Sequence, residues 1–373
     1  MTSLFQPYEL SSPRGPLQLA NRVVIAPMCQ YSATEGCASD WHLIHWANLL
    51  NSGSAMMILE ATAVQREGRI TPFCLGLWDD ASASALEDKL QRARPLAPHM
   101  PVAIQLSHAG RKASSAAPWD GGALLDLDKG GWSTVGPSAI AHQAHEREPK
   151  ALDSQGMAQV REAFVQSAIR AQHIGIDAIE LHAAHGYLLH QFLSPIANQR
   201  TDQYGGSFDN RVRFPLEVFT AVRAKFSGAL GMRISAHDWV EGGWTPEETA
   251  QLSTLLKALG ADFVHISSGG VSSAQKVEVG PNYQVGFAQQ VKAQSALTTI
   301  AVGLITEAQQ ANEIISSGQA DLVALARAFL YQPRWTWQAA ASLNAQVSAS
   351  KQYWRCLPRQ AQHIFTSAMN LQR

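Results

Sequence analysis

Two histidines and a tyrosine follow one apolar segment of the chain. The segment Ala178–His182 is followed by His185 and Tyr187, which makes the pattern H-x-x-H-x-Y. Two imidazoles spaced by three residues can direct their N–H groups at one oxygen atom, and the tyrosine can donate a proton nearby. This arrangement suits the polarisation of a carbonyl or nitro oxygen while a neighbouring carbon is protonated. Each preorganised donor could contribute about 3–4 kcal/mol in the transition state.

A zinc site is a second interpretation of the same histidines. His182, His185 and His190, with Cys29, are residue types that ligate zinc, and barrel hydrolases use such sites. The sequence contains no H-E-x-x-H motif, however, and no acidic residue lies within the H-x-x-H turn. The sequence therefore favours a site without a metal, and the zinc-dependent hydrolase stays as the alternative.

Arg233 lies in the middle of a predicted buried strand. A buried arginine is costly unless it meets an anion or an electron-rich ligand. A cofactor ring that carries developing negative charge would satisfy it. The alternative is a buried ion pair with Glu60 or Glu180, which also lie in predicted strands.

Three further residues lie at the ends of predicted strands. Cys29 could be a nucleophile with a histidine as its base, a redox thiol beside a cofactor, or a core residue. Gly303 follows the seventh strand and Arg327 follows the eighth, where barrels often bind phosphate. Glycine at that place permits a close backbone approach. An ordinary surface arginine is the alternative for Arg327.

These residues need a scaffold that brings many strand ends together. Short apolar segments rich in β-branched residues recur eight times, as in the strands of a buried parallel sheet. Helical patterns lie between them. A Gly-x-Asp or Gly-x-x-Asp sequence precedes three of the strands. The predicted strands are Arg22–Pro27, Ala55–Ala61, Val102–Leu106, Ala178–His182, Met232–Ser235, Phe263–Ser267, Thr299–Val302 and Asp321–Ala326, and predicted helices include Gln155–Ile174, Thr245–Leu259 and Thr306–Ser317.

This alternation predicts an α/β fold, specifically a (β/α)₈ TIM barrel. A doubly wound sheet is disfavoured because the sequence has no G-x-G turn. We expect one barrel domain over residues 1–373. Residues 114–153 form a long excursion after the third strand that could act as a lid, and residues 348–373 form a C-terminal tail.

Composition excludes several classes of protein. The 29 Lys and Arg nearly balance the 30 Asp and Glu, so the net charge of −1 argues against a nucleic-acid surface. An apolar fraction of 46% argues against disorder. We find no apolar stretch of about 18 residues and no signal-peptide pattern, so no membrane partner is expected. The four cysteines form no C-x-x-C pair, which favours free thiols in the cytoplasm.

Several motifs together resemble one family. The chain is similar to the Old Yellow Enzyme family of flavin-dependent ene-reductases, and in particular to its thermophilic-like branch. The resemblance extends from Leu4 to Arg355. It rests on APMCQYSA (26–33), EATAV (60–64), QLSHAGRKA (105–113), ELHAAHGYLLHQFLSP (180–195) and NQRTDQYGGSFDNRVRFPLEV (198–218). It implies a barrel that holds FMN without a covalent bond, with NADPH or NADH as co-substrate.

The resemblance also assigns roles to matching residues. Arg233 would lie near the N1/C2 oxygen region of the flavin, and Cys29 near its reactive nitrogen, where it would tune the potential. Tyr187 would be the proton donor. The flavin ring would be contacted by Ala26, Pro27, Met28, Cys29, Ala63, Gln105 and Arg233, and its phosphate by Gly303, Ala326 and Arg327. The substrate would be bound by Tyr31, His182, His185 and Tyr187. A neighbouring subunit's site would be reached by Trp354 and Arg355.

The activity implied by the resemblance is ene-reduction. NADPH or NADH reduces FMN, and hydride then passes to the β-carbon of an alkene conjugated to a carbonyl or nitro group, in a ping-pong sequence. The tail implies a homodimer or homotetramer. One departure stands out, because the family usually has glycine where this chain has Ala326. A flavin-binding redox sensor that uses Cys29 is a further alternative.

Overall fold

The computed structural model describes residues 2–97 and 100–366. Eight parallel strands pair in chain order, and the closing pair of β8 with β1 completes a barrel. The predicted (β/α)₈ TIM barrel is therefore confirmed. Its strands are β1 Val23–Ile25, β2 Met56–Ala63, β3 Val102–Ser107, β4 Ala178–Ala183, β5 Ala229–Ser235, β6 Phe263–Ser267, β7 Thr298–Ala301 and β8 Leu322–Leu325.

Helices surround the barrel between successive strands. The three predicted helices are present, but the one predicted from Thr306 begins at Ala308. Glu307 and Gln310 form a capping box there, so the helix begins two residues later than the Thr-Glu pattern indicated. The helices are α1 Asp40–Leu50, α2 Asp80–Ala93, α3 Ser154–His173, α4 Leu188–Leu193, α5 Phe208–Arg223, α6 Pro246–Ala258, α7 Val285–Ser295, α8 Ala308–Ser316, α9 Arg327–Tyr331 and α10 Trp335–Ser342.

The barrel interior is apolar at one end and polar at the other. Side chains alternate along a strand, so every second residue of each strand points inward. Near the strand starts these residues form an apolar cluster that includes Ala178 and Phe263. Two and four residues further along the same strands, the inward positions are polar: Gln105, Glu180, His182, Arg233, His265 and Ser267. The fold therefore gathers polar groups at the carboxyl ends of the strands.

The opposite end of the barrel is closed by apolar and hydrogen-bonded contacts. An N-terminal hairpin, Tyr8–Leu10 paired with Leu17–Leu19, packs on the apolar interior. The three predicted loops that contain a glycine and an aspartate share one feature. The aspartate side chain, just before a strand, accepts a hydrogen bond from a backbone N–H at the start of the strand before it. Asp177 accepts from Val102 at 2.9 Å, Asp262 from Leu230 at 2.8 Å and Asp321 from Thr299 at 3.0 Å.

The predicted excursion leaves the barrel after β3 and returns at α3. It contains short 3₁₀ turns and two parallel strands, Val135–Gly136 and Lys150–Ala151. In the predicted tail, Val347–Ser348 pairs with Phe365–Thr366. Residues 367–373 of that tail, like residues 1 and 98–99 of the predicted domain, lie outside the described residues. Within the described residues, no helix is both long and apolar enough to cross a membrane.

Candidate active site

The H-x-x-H segment is a strained turn rather than a helical one. His182 lies inside the end of β4 and is buried, whereas His185 lies beyond it with a left-handed φ of +57°. Gly186 follows with φ +74°, and any side chain there would collide with the carbonyl of Gly270. The His182 ring centroid is 5.2 Å from that of His185 and 4.8 Å from that of Tyr187. The structure thus brings the three predicted groups together.

Residues from three other strand ends hold His185 in this conformation. Its backbone N–H donates to Ser235 Oγ at 2.9 Å, and its carbonyl accepts from Lys112 Nζ at 2.8 Å. Its ring Nε2 is 2.8 Å from Ser267 Oγ. Lys112 also donates to the Gly270 carbonyl at 2.9 Å, and burial lowers the pKa of Lys112 to about 8. A left-handed non-glycine residue persists when its surroundings over-determine it, as they do here.

Both rings of the pair are neutral. Burial, and then the charge of Arg233, hold the pKa values of His182 and His185 well below the usual histidine range. His182 Nδ1 accepts a hydrogen bond from the backbone N–H of Ala184 at 3.2 Å, so its proton is on Nε2. Among the described residues, His182 Nε2 and His185 Nδ1 have no hydrogen-bond partner. These two nitrogens can therefore serve a bound molecule.

Among the described residues, Arg233 has no acidic partner within ion-pair distance, so the alternative of a buried ion pair is wrong. Glu180 is held by Gln105 Nε2 at 2.6 Å and by His265 Nδ1 at 2.7 Å. Glu60 accepts from the Gln30 backbone N–H at 3.0 Å and faces the His42 ring. Both carboxylates thus accept hydrogen bonds from other residues, although Glu60 Oε1 accepts none, and Arg233 forms no ion pair with any described residue.

Glu180 and His265 form a buried pair below Arg233. Burial alone would raise the pKa of Glu180, but the His265 ring and the charge of Arg233 outweigh it, so the pKa is lowered. Burial and the same arginine lower the pKa of His265. The carboxylate is therefore ionised and the imidazole neutral. Arg233 is only 8% exposed, and its buried Nε has no partner among the described residues.

Cys29 lies beside Glu60 and Tyr31 and is held as a thiol. Burial, followed by the charge of Glu60, raises the pKa of Cys29 well above its usual value. A thiolate nucleophile is disfavoured under these conditions. Tyr31 has a left-handed φ of +47°, and its ring is 5.8 Å from the ring of Trp119 in the excursion.

The described residues do not support the zinc alternative, because both ring nitrogens of His190 are already engaged. His190 Nδ1 accepts from the Gly186 N–H at 2.8 Å, and its Nε2 is 2.8 Å from Asp238 Oδ1. In the part of the chain that the structure describes, no group of three histidine, cysteine or acidic side chains could hold a metal ion. His182, His185, His190 and Cys29 therefore do not form a ligand set.

The predicted phosphate residues lie at the ends of β7 and β8. Gly303 has φ +134°, and the ring of Tyr283 is 3.2 Å from where its Cβ would lie. Arg327 begins α9 and is exposed. Ala326 is partly buried and packs against the apolar cluster of the barrel interior.

Trp354 and Arg355 lie apart from the histidines of their own chain. The tail passes the closed end of the barrel, where Ser350 Oγ contacts Asn51 Oδ1 at 2.7 Å and the Leu96 carbonyl at 3.1 Å. Trp354 donates its ring N–H to the carbonyl of Ala349 at 3.1 Å, close to that end. A single chain therefore does not bring Trp354 or Arg355 to its own site.

Sequence reasoning missed several residues that build the site. The sequence did not predict roles for Ser235, Ser267 and His265. Strand alternation places each of them on the inward-facing side of its strand, Ser235 in β5 with Arg233 and the other two in the neighbouring β6. Asp238 was missed because it follows β5 in a loop and acts through His190. Strand alternation would have identified the first three.

The residues present fit a flavin. A buried guanidinium without an acidic partner matches an electron-rich ring edge, and Gln105 is buried at an inward position of β3. Small side chains, Ala26 and Ala63, lie at the ends of β1 and β2 and leave room for a flat group. Gly303 and Arg327 suit the phosphate end. The donor set therefore suits a ring and an anion, as in FMN.

Comparisons with known proteins agree with this chemistry. The model of the NADH:flavin oxidoreductase / NADH oxidase family matches residues 3–346. An NADPH dehydrogenase of Geobacillus sp. (strain WCH70) is 40% identical over 356 residues, which cover 95% of this chain and 98% of the relative. An NADH:flavin oxidoreductase of Gibberella zeae is 41% identical over 371 residues, which cover 94% of this chain and 88% of the relative.

A solved structure gives the same result. Morphinone reductase in complex with tetrahydroNAD superposes with a TM-score of 0.75 at 26% identity, covering 98% of this chain and 95% of that one. The family model spans most of the chain, and relatives of about 40% identity cover nearly all of it. The chain therefore belongs to the NADH:flavin oxidoreductase / NADH oxidase family, the predicted Old Yellow Enzyme family, and is an FMN-dependent NAD(P)H oxidoreductase.

Proposed function

We propose that this oxidoreductase is an ene-reductase, which reduces alkenes conjugated to a carbonyl or nitro group. The observation that carries the proposal is the pair of neutral histidines with free nitrogens, His182 Nε2 and His185 Nδ1, beside the Tyr187 ring. Two neutral donors suit an uncharged carbonyl or nitro oxygen that gains negative charge during reaction. A proton donor beside them suits protonation of the adjacent carbon.

FMN, when bound, supplies the transfer of hydride from NAD(P)H to the alkene. Arg233 and Gln105 would hold the ring edge, with Ala26, Pro27, Met28 and Ala63 along its face. Gly303, Ala326 and Arg327 would lie at the phosphate. Cys29 would lie beside the ring as a neutral thiol, because burial and Glu60 raise its pKa.

The histidines orient the substrate and stabilise the charge on its oxygen. Their pKa values lie well below the usual range, so they donate hydrogen bonds without carrying charge at neutral pH. Tyr31, which follows β1, would contact the substrate from that side. Donors fixed in this way need no reorganisation as the oxygen gains charge.

Tyr187 delivers the proton in this proposal. Burial raises the pKa of its phenol, so the group is protonated at neutral pH. Its ring lies against His182 and 5.4 Å from Lys112 Nζ. Water, the alternative donor, would act in its place if the phenol were dispensable.

Two segments outside the barrel would complete the site. The excursion 114–153 would act as a lid, since Arg111 binds the carbonyls of Ile140 and Ala141 and Trp119 contacts Tyr31. Because the tail lies at the closed end of its own barrel, Trp354 and Arg355 would contact the site of a second copy in a homodimer or homotetramer. Four free thiols suit a cytoplasmic location.

The spectrum and turnover of the purified protein test the proposal. We expect a yellow protein that oxidises NADPH or NADH faster when cyclohexenone is added and yields cyclohexanone. NAD(P)H oxidation that cyclohexenone and a nitroalkene leave unchanged would contradict it. Turnover that survives in Cys29→Ala would count against the alternative of a thiol-based redox sensor.

The role of Tyr187 is tested by separating the two half-reactions. Tyr187→Phe should slow alkene reduction about 100-fold, within the usual contribution of general acid catalysis, and change flavin reduction by NADPH little. Stopped-flow absorbance of the flavin follows both steps. Equal slowing of the two would show that Tyr187 is not the specific proton donor.

A further inference from the structure

The hydrogen bond between His185 and Ser267 determines which ring nitrogen faces the substrate. His185 is neutral, so one of its nitrogens carries a hydrogen and the other does not. Ser267 Oγ is 2.8 Å from His185 Nε2. If Ser267 donates its single hydrogen to Nε2, the imidazole hydrogen is on Nδ1. If Ser267 instead accepts from Nε2, Nδ1 is bare and cannot donate.

Among the residues that the structure describes, one other acceptor competes for the hydrogen of Ser267. Gln284 Oε1 lies 3.4 Å from Ser267 Oγ, near the outer limit of a hydrogen bond. That oxygen already accepts a hydrogen bond from Ser268 Oγ at 2.6 Å. The amide orientation of Gln284 is defined, because its Nε2 donates to the Val302 carbonyl at 3.0 Å. The shorter contact, with His185, is therefore the better destination for the hydrogen.

We propose that Ser267 is a positioning residue that donates to His185 Nε2 and so holds His185 as the tautomer with its hydrogen on Nδ1. This inference deepens the proposed function and rests on it. His182 is fixed in the opposite sense, since Ala184 donates to its Nδ1 and leaves the hydrogen on Nε2. Opposite tautomers allow two rings on one turn to present a donor each. A donor from His185 thus depends on a serine in a different strand.

Nitrogen NMR of the flavin-bound protein labelled with ¹⁵N-histidine tests the tautomer directly. Protonated and bare ring nitrogens differ strongly in chemical shift, and His185→Ala assigns the signals. We expect a protonated Nδ1 and a bare Nε2 at His185, and the reverse at His182. A protonated Nε2 at His185 in the unaltered protein would overturn the proposal, whatever reaction the enzyme catalyses.

Variants of the neighbouring serines test the consequence for binding. Ser267→Ala should shift the His185 tautomer and weaken the binding of a phenol about tenfold, the effect of one lost charge-assisted hydrogen bond. Ser267→Thr, which keeps the hydroxyl, should restore both. Ser268→Ala is the matched control, because its hydroxyl contacts Gln284 and not His185, and we expect less than a twofold change. Titrations monitored by the visible spectrum of the flavin give the affinities.

The outcomes separate the two proposals. Ser267→Ala with unchanged tautomer and phenol affinity would contradict the role of Ser267, even if cyclohexenone is reduced. The expected tautomers without any reduction of conjugated alkenes would instead contradict the proposed function. Flavin content and melting temperature of each variant show whether a loss comes from misfolding.

Discussion

Two groups of buried polar residues on the same side of the barrel differ in whether their polar atoms have hydrogen-bond partners in the protein. In the first, His190 lies between the Gly186 N–H and Asp238, and every polar atom of these side chains has a partner in the protein. Ser194 donates to Asp238 at 2.5 Å, and the Trp244 N–H donates to it at 2.8 Å. This group contains serine, histidine and aspartate, but the Ser194 hydroxyl donates to the aspartate and not to the histidine ring.

In the second group, several polar atoms have no partner among the described residues. They include the buried Nε of Arg233, and the second ring nitrogens of the two histidines, His182 Nε2 and His185 Nδ1. Buried polar atoms are normally paired, because an unpaired one costs about 1–3 kcal/mol. The comparison teaches that residue types alone do not identify a reactive site. The saturated group stabilises the turn, and the open group is available to ligands.

The largest expected effect comes from breaking the saturated group. Asp238→Ala should lower the free energy of unfolding by about 3–5 kcal/mol, because His190, Ser194 and Trp244 lose a buried acceptor. Urea unfolding of the purified variant measures it. Asp80→Ala, which removes the exposed partner of Arg170, is the control and should cost less than about 1 kcal/mol. An equal loss in the two variants would contradict the distinction.

Removing a donor from the open group should affect catalysis instead. His182→Ala should lower turnover of cyclohexenone about 10²–10³-fold, the usual effect of losing one donor to a developing oxyanion. It should also weaken phenol binding while FMN remains bound. Steady-state kinetics and a phenol titration measure these effects. Wild-type phenol affinity in this variant would remove His182 from the substrate site.

Arg233 gives a third, smaller test. Arg233→Ala should raise the dissociation constant of FMN about 10–100-fold, the value of a hydrogen bond from a charged donor. The stability of the flavin-free protein should fall less than it does when an ion-paired arginine is removed, because Arg233 forms no ion pair with a described residue. Fluorescence titration with FMN and urea unfolding provide both numbers.

A second arginine supplies the matched control for that test. Arg223 pairs with Asp262 at 2.9 Å at the closed end of the barrel. Arg223→Ala should therefore lower stability and leave FMN affinity unchanged. If Arg233→Ala likewise lowered stability and left FMN affinity unchanged, the role of Arg233 would be structural.

His108, a buried histidine outside both groups, leads to a prediction about how stability depends on pH. Burial lowers the pKa of His108 to about 4, below the value of about 6.5 expected in the unfolded chain. Between these values the unfolded chain binds a proton that the folded protein does not, so stability falls as the pH falls from 6.5 towards 4. At pH 5 this histidine should cost about 2 kcal/mol relative to pH 7. Urea unfolding at both pH values should show a smaller difference in His108→Gln; an equal difference would contradict the assignment.

Much of the fold follows from local patterns. The eight apolar segments match the eight barrel strands because a buried parallel strand must be apolar on both faces over several residues. Helix starts such as Thr245 were predictable because Thr245 and Glu248 form a capping box within four residues. The start of α8 was harder to predict from the sequence, since Thr306 and Glu307 can both cap a helix. The motifs were sufficient to predict the family and the cofactor.

The partners of individual side chains did not follow from the sequence. Glu60 and Glu180 were equally plausible partners for Arg233, and only the packing of Gln30, Gln105 and His265 shows that both are occupied. These residues are far apart along the chain, so no local spacing relates them. The sequence by itself determined which chemical groups collect at the carboxyl ends of the strands. Tertiary structure alone decided which of them are saturated and which remain open, because hydrogen bonds depend on distances of tenths of an ångström between different strands.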